Sequence, residues 1–171
     1  VILGVTYAQF VGAMGVGILA GNGSPPLPDM QGRFDYSLSV GANSLSKSGP
    51  GQNGWLTLSA LGHEPYFWNI VPSHAAGLSA DGAAFVTTGL AKRYKLSAFE
   101  FTPYWGPTLY QSRLGNWSRR DAIQFRTGID VSIRMTDDAS MFMGMYHISN
   151  AGISSKSAGI DVTHLGFRMT W

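Results

Sequence analysis

His147 and Ser149 stand two residues apart near the end of the run SMFMGMYHIS. If that run is extended, Met141, Met143, Met145, His147 and Ser149 share one face, and Phe142, Gly144, Tyr146 and Ile148 share the other. Residues i and i+2 of a strand lie roughly 6.5–7 Å apart along the backbone, so an imidazole leaning along the strand can reach the hydroxyl. The segment NAGISSKSAG follows. If a hairpin closes symmetrically around 150–158, position 149 pairs with 159 and 147 with 161. Asp161 then faces His147 across the ladder, with Cβ atoms about 4.5–5.5 Å apart. A hydroxyl that attacks, an imidazole that takes its proton and a carboxylate that fixes the imidazole tautomer make up the nucleophile–base–orienter set of acyl transfer. A His-x-Ser pair alone is common by chance. What marks this one is Asp161, the only carboxylate after Asp138, on an otherwise apolar face. The reading depends on register, because a slip of one residue sends Asp161 to the opposite face.

Such a site needs a sheet to carry it, and the composition says what kind. The chain has 171 residues, with 22 Gly, no Cys, 13% charged and 44% hydrophobic residues. Globular chains average about 25% charged residues and about 7% Gly. Low charge with high glycine suits a protein whose outer surface avoids water. The chain is too apolar for disorder, and without Cys it has no disulfide scaffold, thiolate metal site or cysteine nucleophile. A net charge of +2 makes nucleic acid a poor partner. From Ile123 to Arg134 the alternation is unbroken: Ile123, Phe125, Thr127, Ile129, Val131 and Ile133 against Gln124, Arg126, Gly128, Asp130, Ser132 and Arg134. Ile160 to Trp171 likewise sets Thr163, Leu165, Phe167, Met169 and Trp171 against Val162, His164, Gly166, Arg168 and Thr170. Period two means strand. Apolar against polar-plus-small fits either a soluble sandwich or a barrel with lipid outside, and a last strand ending in an aromatic resembles the closing strand of outer-membrane barrels.

The expected architecture is all-β: a single domain over 1–171, an eight-stranded antiparallel outer-membrane β-barrel. Its strands run near 3–20, 32–44, 54–75, 82–92, 95–109, 122–134, 139–149 and 159–171. The third contains Pro65 and Pro72 and reads as either two short pieces or one bulged strand. Residues 1–22 carry no charge and are long enough to be a membrane helix, but Gly4, Gly12, Gly15, Gly17 and Gly21 favour a first strand. With no preceding Lys or Arg and no initiator Met, this start lacks the form of an intact signal peptide and reads as a processed or trimmed chain. Long connections near 21–31, 110–121 and 150–158 would be outer loops, and 92–94 and 135–138 tight inner turns. The linker near 45–53 breaks that alternation.

The same hairpin carries a family likeness. His147-Ile-Ser149-Asn150-Ala151-Gly152 followed by Gly159-Ile160-Asp161 resembles the active-site hairpin of the lipid A deacylases of the acyloxyacyl hydrolase (PagL-type) family. Upstream, Phe101-Thr102-Pro103-Tyr104-Trp105-Gly106-Pro107-Thr108-Leu109-Tyr110 resembles that family's central strand, and Gln124-Phe125-Arg126-Thr127-Gly128-Ile129-Asp130 the strand after it. The likeness covers about the last 75 residues. It implies an outer-membrane esterase that removes the ester-linked 3-O-acyl chain of lipid A, with Ser149 as nucleophile and His147 as base. The family's acid is usually Glu, and Asp161 at that position is one methylene shorter. Asn150 and Gly152, next to the nucleophile, are candidates for an oxyanion hole. Arg113, Arg119 and Arg120 could meet lipid A phosphates, or simply form a solvated basic loop.

The remaining polar residues read as structural. Arg126, Asp130, Arg134 and His164 fall on the inner face as lumen groups. His63, Glu64 and His74 lack metal-ligand spacing, so no metal and no cofactor are expected. Trp55, Trp68, Trp105, Trp117 and Trp171 fit either an interfacial girdle or core packing. The expected partners are lipid A or lipopolysaccharide and the outer membrane, with a homodimer or larger membrane assembly open. A catalytically silent structural or accessory barrel is the competing function, and a soluble lipocalin-like binder the third.

Overall fold

In the computed structural model, residues 34–43, 53–62, 70–112, 122–150 and 159–170 are described. Their strands are β1 (Phe34–Asn43), β2 (Gly54–Gly62), β3 (Ile70–Ser79), β4 (Ala84–Lys92), β5 (Tyr94–Leu96), β6 (Phe99–Gln111), β7 (Ile123–Arg134), β8 (Ala139–Ser149) and β9 (Ile160–Thr170). Each pairs antiparallel with its neighbours. The ring β1-β2-β3-β4-β6-β7-β8-β9 closes through β1 on β9, and β5 is a short hairpin piece on β6. The result is a closed eight-stranded antiparallel barrel.

The expected strand number holds, but two of its members change. Because β1 pairs with β2 on one side and β9 on the other, the ring closes without 3–20. The expected strand 54–75 divides into β2 and β3, the two-piece alternative, with Pro72 accommodated in β3 opposite Leu90. The choice between strand and helix for 1–22 lies outside the described residues, as does Pro65. Removing 3–20 from the count also explains the linker that broke the loop alternation. Asn43 pairs with Val162, so 44–53 emerges at the same end as 150–158. The connections 80–83 and 113–121 share that end, and 135–138 and the β5–β6 hairpin lie at the other.

The barrel is inside-out. Leu38, Val40, Leu58, Val86, Leu109 and Leu165 are exposed on the wall, while Ser37, Thr57, Thr87, Thr102, Arg126 and Arg168 are buried. That distribution removes the soluble lipocalin-like reading, since charge is enclosed and the hydrocarbon side chains face out. At the end that carries the 150–158 loop, the lumen is packed by Trp55, Phe85, Tyr104, Tyr146, Ile148 and Val162. Trp55 therefore belongs to the core, where its indole donates to Asn43 Oδ1 at 2.5 Å. Trp105, by contrast, is 44% exposed on the wall. The other three tryptophans lie outside the described residues.

Towards the opposite end the lumen turns ionic. Arg168 donates to Asp130 Oδ2 at 3.0 Å and to Glu100 Oε1 at 3.3 Å, and Arg93 joins Asp35 at 2.6 Å to Glu100 at 2.9 Å. His164 bonds Ser39 at 3.1 Å, and its Nε2 comes within 3.2 Å of Asp130 Oδ1 without hydrogen-bond alignment. Arg126 sits instead among aromatic faces, 4.3 Å from the Tyr146 ring centre and 4.5 Å from that of Tyr104. Arg134 is exposed at the mouth. Glu100 is thus the anion shared by the two arginines, and Asp130 is the buried partner of Arg168. Asp130→Ala is expected to cost about 3 kcal/mol, the lower end for removing one partner of a buried ion pair. Urea unfolding in detergent micelles measures it, and an unchanged midpoint would mean that the cluster contributes nothing net.

One stretch of the wall is held by backbone approach. The β4–β6 ladder skips from Thr87↔Thr108 to Leu90↔Trp105. Pro107 lies in that gap and has no N–H to donate. Gly89 and Gly106 face each other there, and a Cβ on Gly89 would lie 2.5 Å from the Gly106 Cα.

Candidate active site

The register of the last hairpin is the one the sequence implies. His147 pairs with Asp161 and Ile148 with Ile160. Outward and inward positions alternate along β8 and β9. Tyr146, Ile148 and Val162, all at most 2% exposed, form the back of the hairpin inside the barrel. His147, Ser149 and Asp161 take the wall side. The aromatic packing in the lumen thus holds the two strands rigidly from behind, which matters for groups that must keep a fixed geometry.

His147 Nδ1 lies 2.7 Å from Asp161 Oδ1. A carboxylate can only accept, so Nδ1 carries the proton and Nε2 is the accepting nitrogen. The carboxylate is about half exposed (49%) and the imidazole is largely covered (14%). The Asp161 carboxylate reaches the ring because the two residues are directly cross-strand.

The imidazole leans along the strand. Its Cε1 and Nε2 pack against Gly159, so closely that a Cβ there would lie 2.5 Å from Nε2. Carrying the register one residue beyond Ile148↔Ile160 places Gly159 opposite Ser149. The ring tip therefore sits in the same cross-strand row as the serine.

On the other side β7 completes the surroundings. Thr127 pairs with His147 and Phe125 with Ser149. Trp105 of β6 stacks on Phe125, with ring centres 6.2 Å apart and planes 12° from parallel. Below the hairpin the wall continues with Ile129, Met145, Met143 and Leu165, an apolar strip beside polar groups. Sequence reasoning placed Phe125 and Thr127 on the outward face but did not connect them to the site. Their proximity follows only from the β7–β8 register.

Asn150, immediately after Ser149, is buried at 5% exposure. Gly152 and the three loop arginines, Arg113, Arg119 and Arg120, lie outside the described residues. So do His63 and Glu64. His74 is on the wall in β3, bonded to Thr88 at 3.1 Å. Among the described residues no group of three His, Cys, Asp or Glu side chains could hold a metal ion. A cavity of about 350 Å³ opens at the opposite mouth beside Arg93, Glu100 and Arg134, away from the hairpin.

Comparison with known proteins bears on the fold and the family. No curated protein sequence matches the chain. Among solved structures, a de novo designed transmembrane β-barrel aligns with a TM-score of 0.60 at 12% identity, covering 85% of this chain and all (100%) of that one. The crystal structure of the outer membrane enzyme PagL aligns with a TM-score of 0.56 at 18% identity, covering 79% of this chain and 98% of that one. The Yersinia pestis outer membrane protein Ail aligns at 0.55 and 7% identity, covering 82% and 100%. These likenesses describe the fold. The family model for lipid A 3-O-deacylase (PagL) matches residues 44–170, most of the chain and all of the hairpin. The chain therefore belongs to the PagL family of lipid A 3-O-deacylases.

Proposed function

We propose that this barrel is a bacterial outer-membrane esterase that removes the 3-O-linked acyl chain of lipid A, using Ser149 as nucleophile, His147 as general base and Asp161 as the orienting acid. The observation that carries the reading is the 2.7 Å bond between His147 Nδ1 and Asp161 Oδ1 on the outer wall. A polar pair on a lipid-facing surface is costly unless it serves a purpose. Here it leaves Nε2 as the accepting nitrogen in the serine's row.

In this reading Ser149 Oγ attacks the ester carbonyl carbon and its proton passes to His147 Nε2. The tetrahedral intermediate collapses with cleavage of the bond to the sugar O3. The proton on Nε2 goes to the leaving alkoxide. Water, deprotonated by the same nitrogen, then attacks the acyl-serine, releasing the fatty acid and restoring the hydroxyl. Backbone N–H groups at Asn150 and Gly152, or the Asn150 amide, stabilise the oxyanion. The apolar strip through Met145 and Met143 suits an acyl chain lying against the wall, and Met side chains adapt to irregular apolar ligands. Lipid A diffuses laterally in the outer leaflet, so a site on the wall at the loop end meets it without a pore. Arg113, Arg119 and Arg120 would face its phosphates from the loop.

The competing reading of a silent barrel rests on the shorter acid and on the uncharged residues 1–22, and a carboxylate within hydrogen-bond distance of Nδ1 weighs against the first of these. The test is mass spectrometry of lipid A incubated with the purified protein in detergent. Loss of one ester-linked 3-hydroxyacyl chain is expected. Unchanged lipid A, or loss of an amide-linked chain instead, would overturn the proposal.

A further inference from the structure

Gly159 has no backbone reason to be glycine. Among the described residues the glycine with positive φ is Gly82, at 87° in the β3–β4 turn. Position 159 lies outside that region, so its conformation is open to any L residue. What matters there is space, as at Gly77, where a Cβ would run into the Phe85 ring. A Cβ built at Gly159 overlaps His147 Cε1, lies 2.5 Å from Nε2 and 3.4 Å from Nδ1, and these three nearest atoms all belong to one imidazole. At Gly41, Gly89 and Gly106 the corresponding Cβ runs into main-chain atoms. There a side chain would distort the barrel, whereas here it would displace only a ring.

We propose that Gly159 is a positioning residue for hydrolysis: the missing Cβ is the berth that lets the His147 imidazole keep Nδ1 on Asp161 while its tip lies in the row of Ser149. The inference rests on the function proposed above. Its physical basis is that the ring is held from two sides. Asp161 fixes one edge through a 2.7 Å hydrogen bond, and contact with the Gly159 main chain fixes the lean of the ring along the strand. A methyl group at 159 leaves the hydrogen bond chemically possible but removes the volume the ring occupies. The ring must then swing about its side-chain torsions away from position 159, which leaves the strand pairing intact. It is expensive for chemistry, since a misplacement of about 1 Å costs a catalytic group on the order of 100-fold in rate.

The experiment is Gly159→Ala in the full chain, followed by Gly159→Ser. The expected result is a fall in kcat of about 100-fold, with KM and the urea unfolding midpoint unchanged. The Nδ1–H proton resonance of His147, read by NMR in micelles, should shift or disappear. A double-mutant cycle with Asp161→Asn separates positioning from an independent effect. Once the orienting acid is gone, Gly159→Ala should slow the reaction by much less than it does in the wild-type background. Wild-type turnover and an unmoved His147 resonance in Gly159→Ala would overturn the inference. So would a rate loss matched by a lowered unfolding midpoint. If the wild-type protein does not deacylate lipid A, the function reading fails by itself, and the NMR resonance still decides whether Gly159 sets the ring.

Discussion

Ser149→Ala is expected to abolish release of the 3-O-acyl chain while leaving the barrel folded. The hydroxyl is the atom that forms the acyl-enzyme in the proposed reaction, and neither water nor a neighbouring group stands in for it. Removing the nucleophile of a serine triad elsewhere costs roughly 10⁴- to 10⁶-fold in kcat, and the same order is expected here. The fold should not notice the change. Ser149 is the last residue of β8, on the wall side, and the packing that holds the hairpin comes from its inward neighbours Ile148 and Tyr146. Mass spectrometry of lipid A reads the chemistry, and the shift in gel mobility on heating reads the barrel. Residual activity within about tenfold of wild type would move the nucleophile elsewhere, since truncating a true one costs far more than that.

Asp161→Asn tests the acid with almost no change of shape. An amide at this position can turn its NH₂ towards Nδ1, which makes Nδ1 the acceptor and moves the ring proton to Nε2. The imidazole then faces the serine with the wrong nitrogen and cannot take its proton. In a serine protease triad the same exchange costs about 10⁴-fold in kcat. A loss of the same order, about 10⁴-fold, is expected here. Asp161→Glu, which keeps a carboxylate on a longer arm, should keep activity within about tenfold of wild type, since the carboxylate chemistry is unchanged. Paired kcat measurements on the two variants decide the matter. If Asn and Glu at this position behave alike, the carboxylate is not orienting the imidazole.

Both expectations were visible in the amino-acid order before any coordinates. Alternation in SMFMGMYHIS assigned His147 and Ser149 to one face, and closing the hairpin around 150–158 brought Asp161 opposite His147, as the register places it. This works because the two strands follow each other in the chain, so pairing follows from counting residues outward from the connection. The inside-out pattern was legible for the same reason: period two is a local property of extended backbone. The family likeness rested on the same hairpin and the two preceding strands, and the family model spans them.

What lay beyond counting was closure. A ring has no free edge, so its membership is decided by which distant strands meet, and nothing local in 3–20 or in 54–75 records that β1 joins β9. The number of strands was right although the ring closes without one expected member and another divides into two. The lumen pairs were equally hidden. Arg93 meets Asp35 from 58 positions away, and His164 meets Ser39 from 125. Each is set by barrel diameter and strand stagger rather than by spacing along the chain. Gly159 belongs with these, because a glycine beside a hairpin loop reads as a turn residue until the imidazole is seen lying against it. The sequence by itself determined most of the strands, their faces and the His147–Asp161 pairing, all consequences of period and of strands that follow each other in the chain. Only the tertiary structure decided which strands close the barrel, what fills it and what holds the imidazole in place, since those depend on contacts between parts of the chain that carry no local mark of each other.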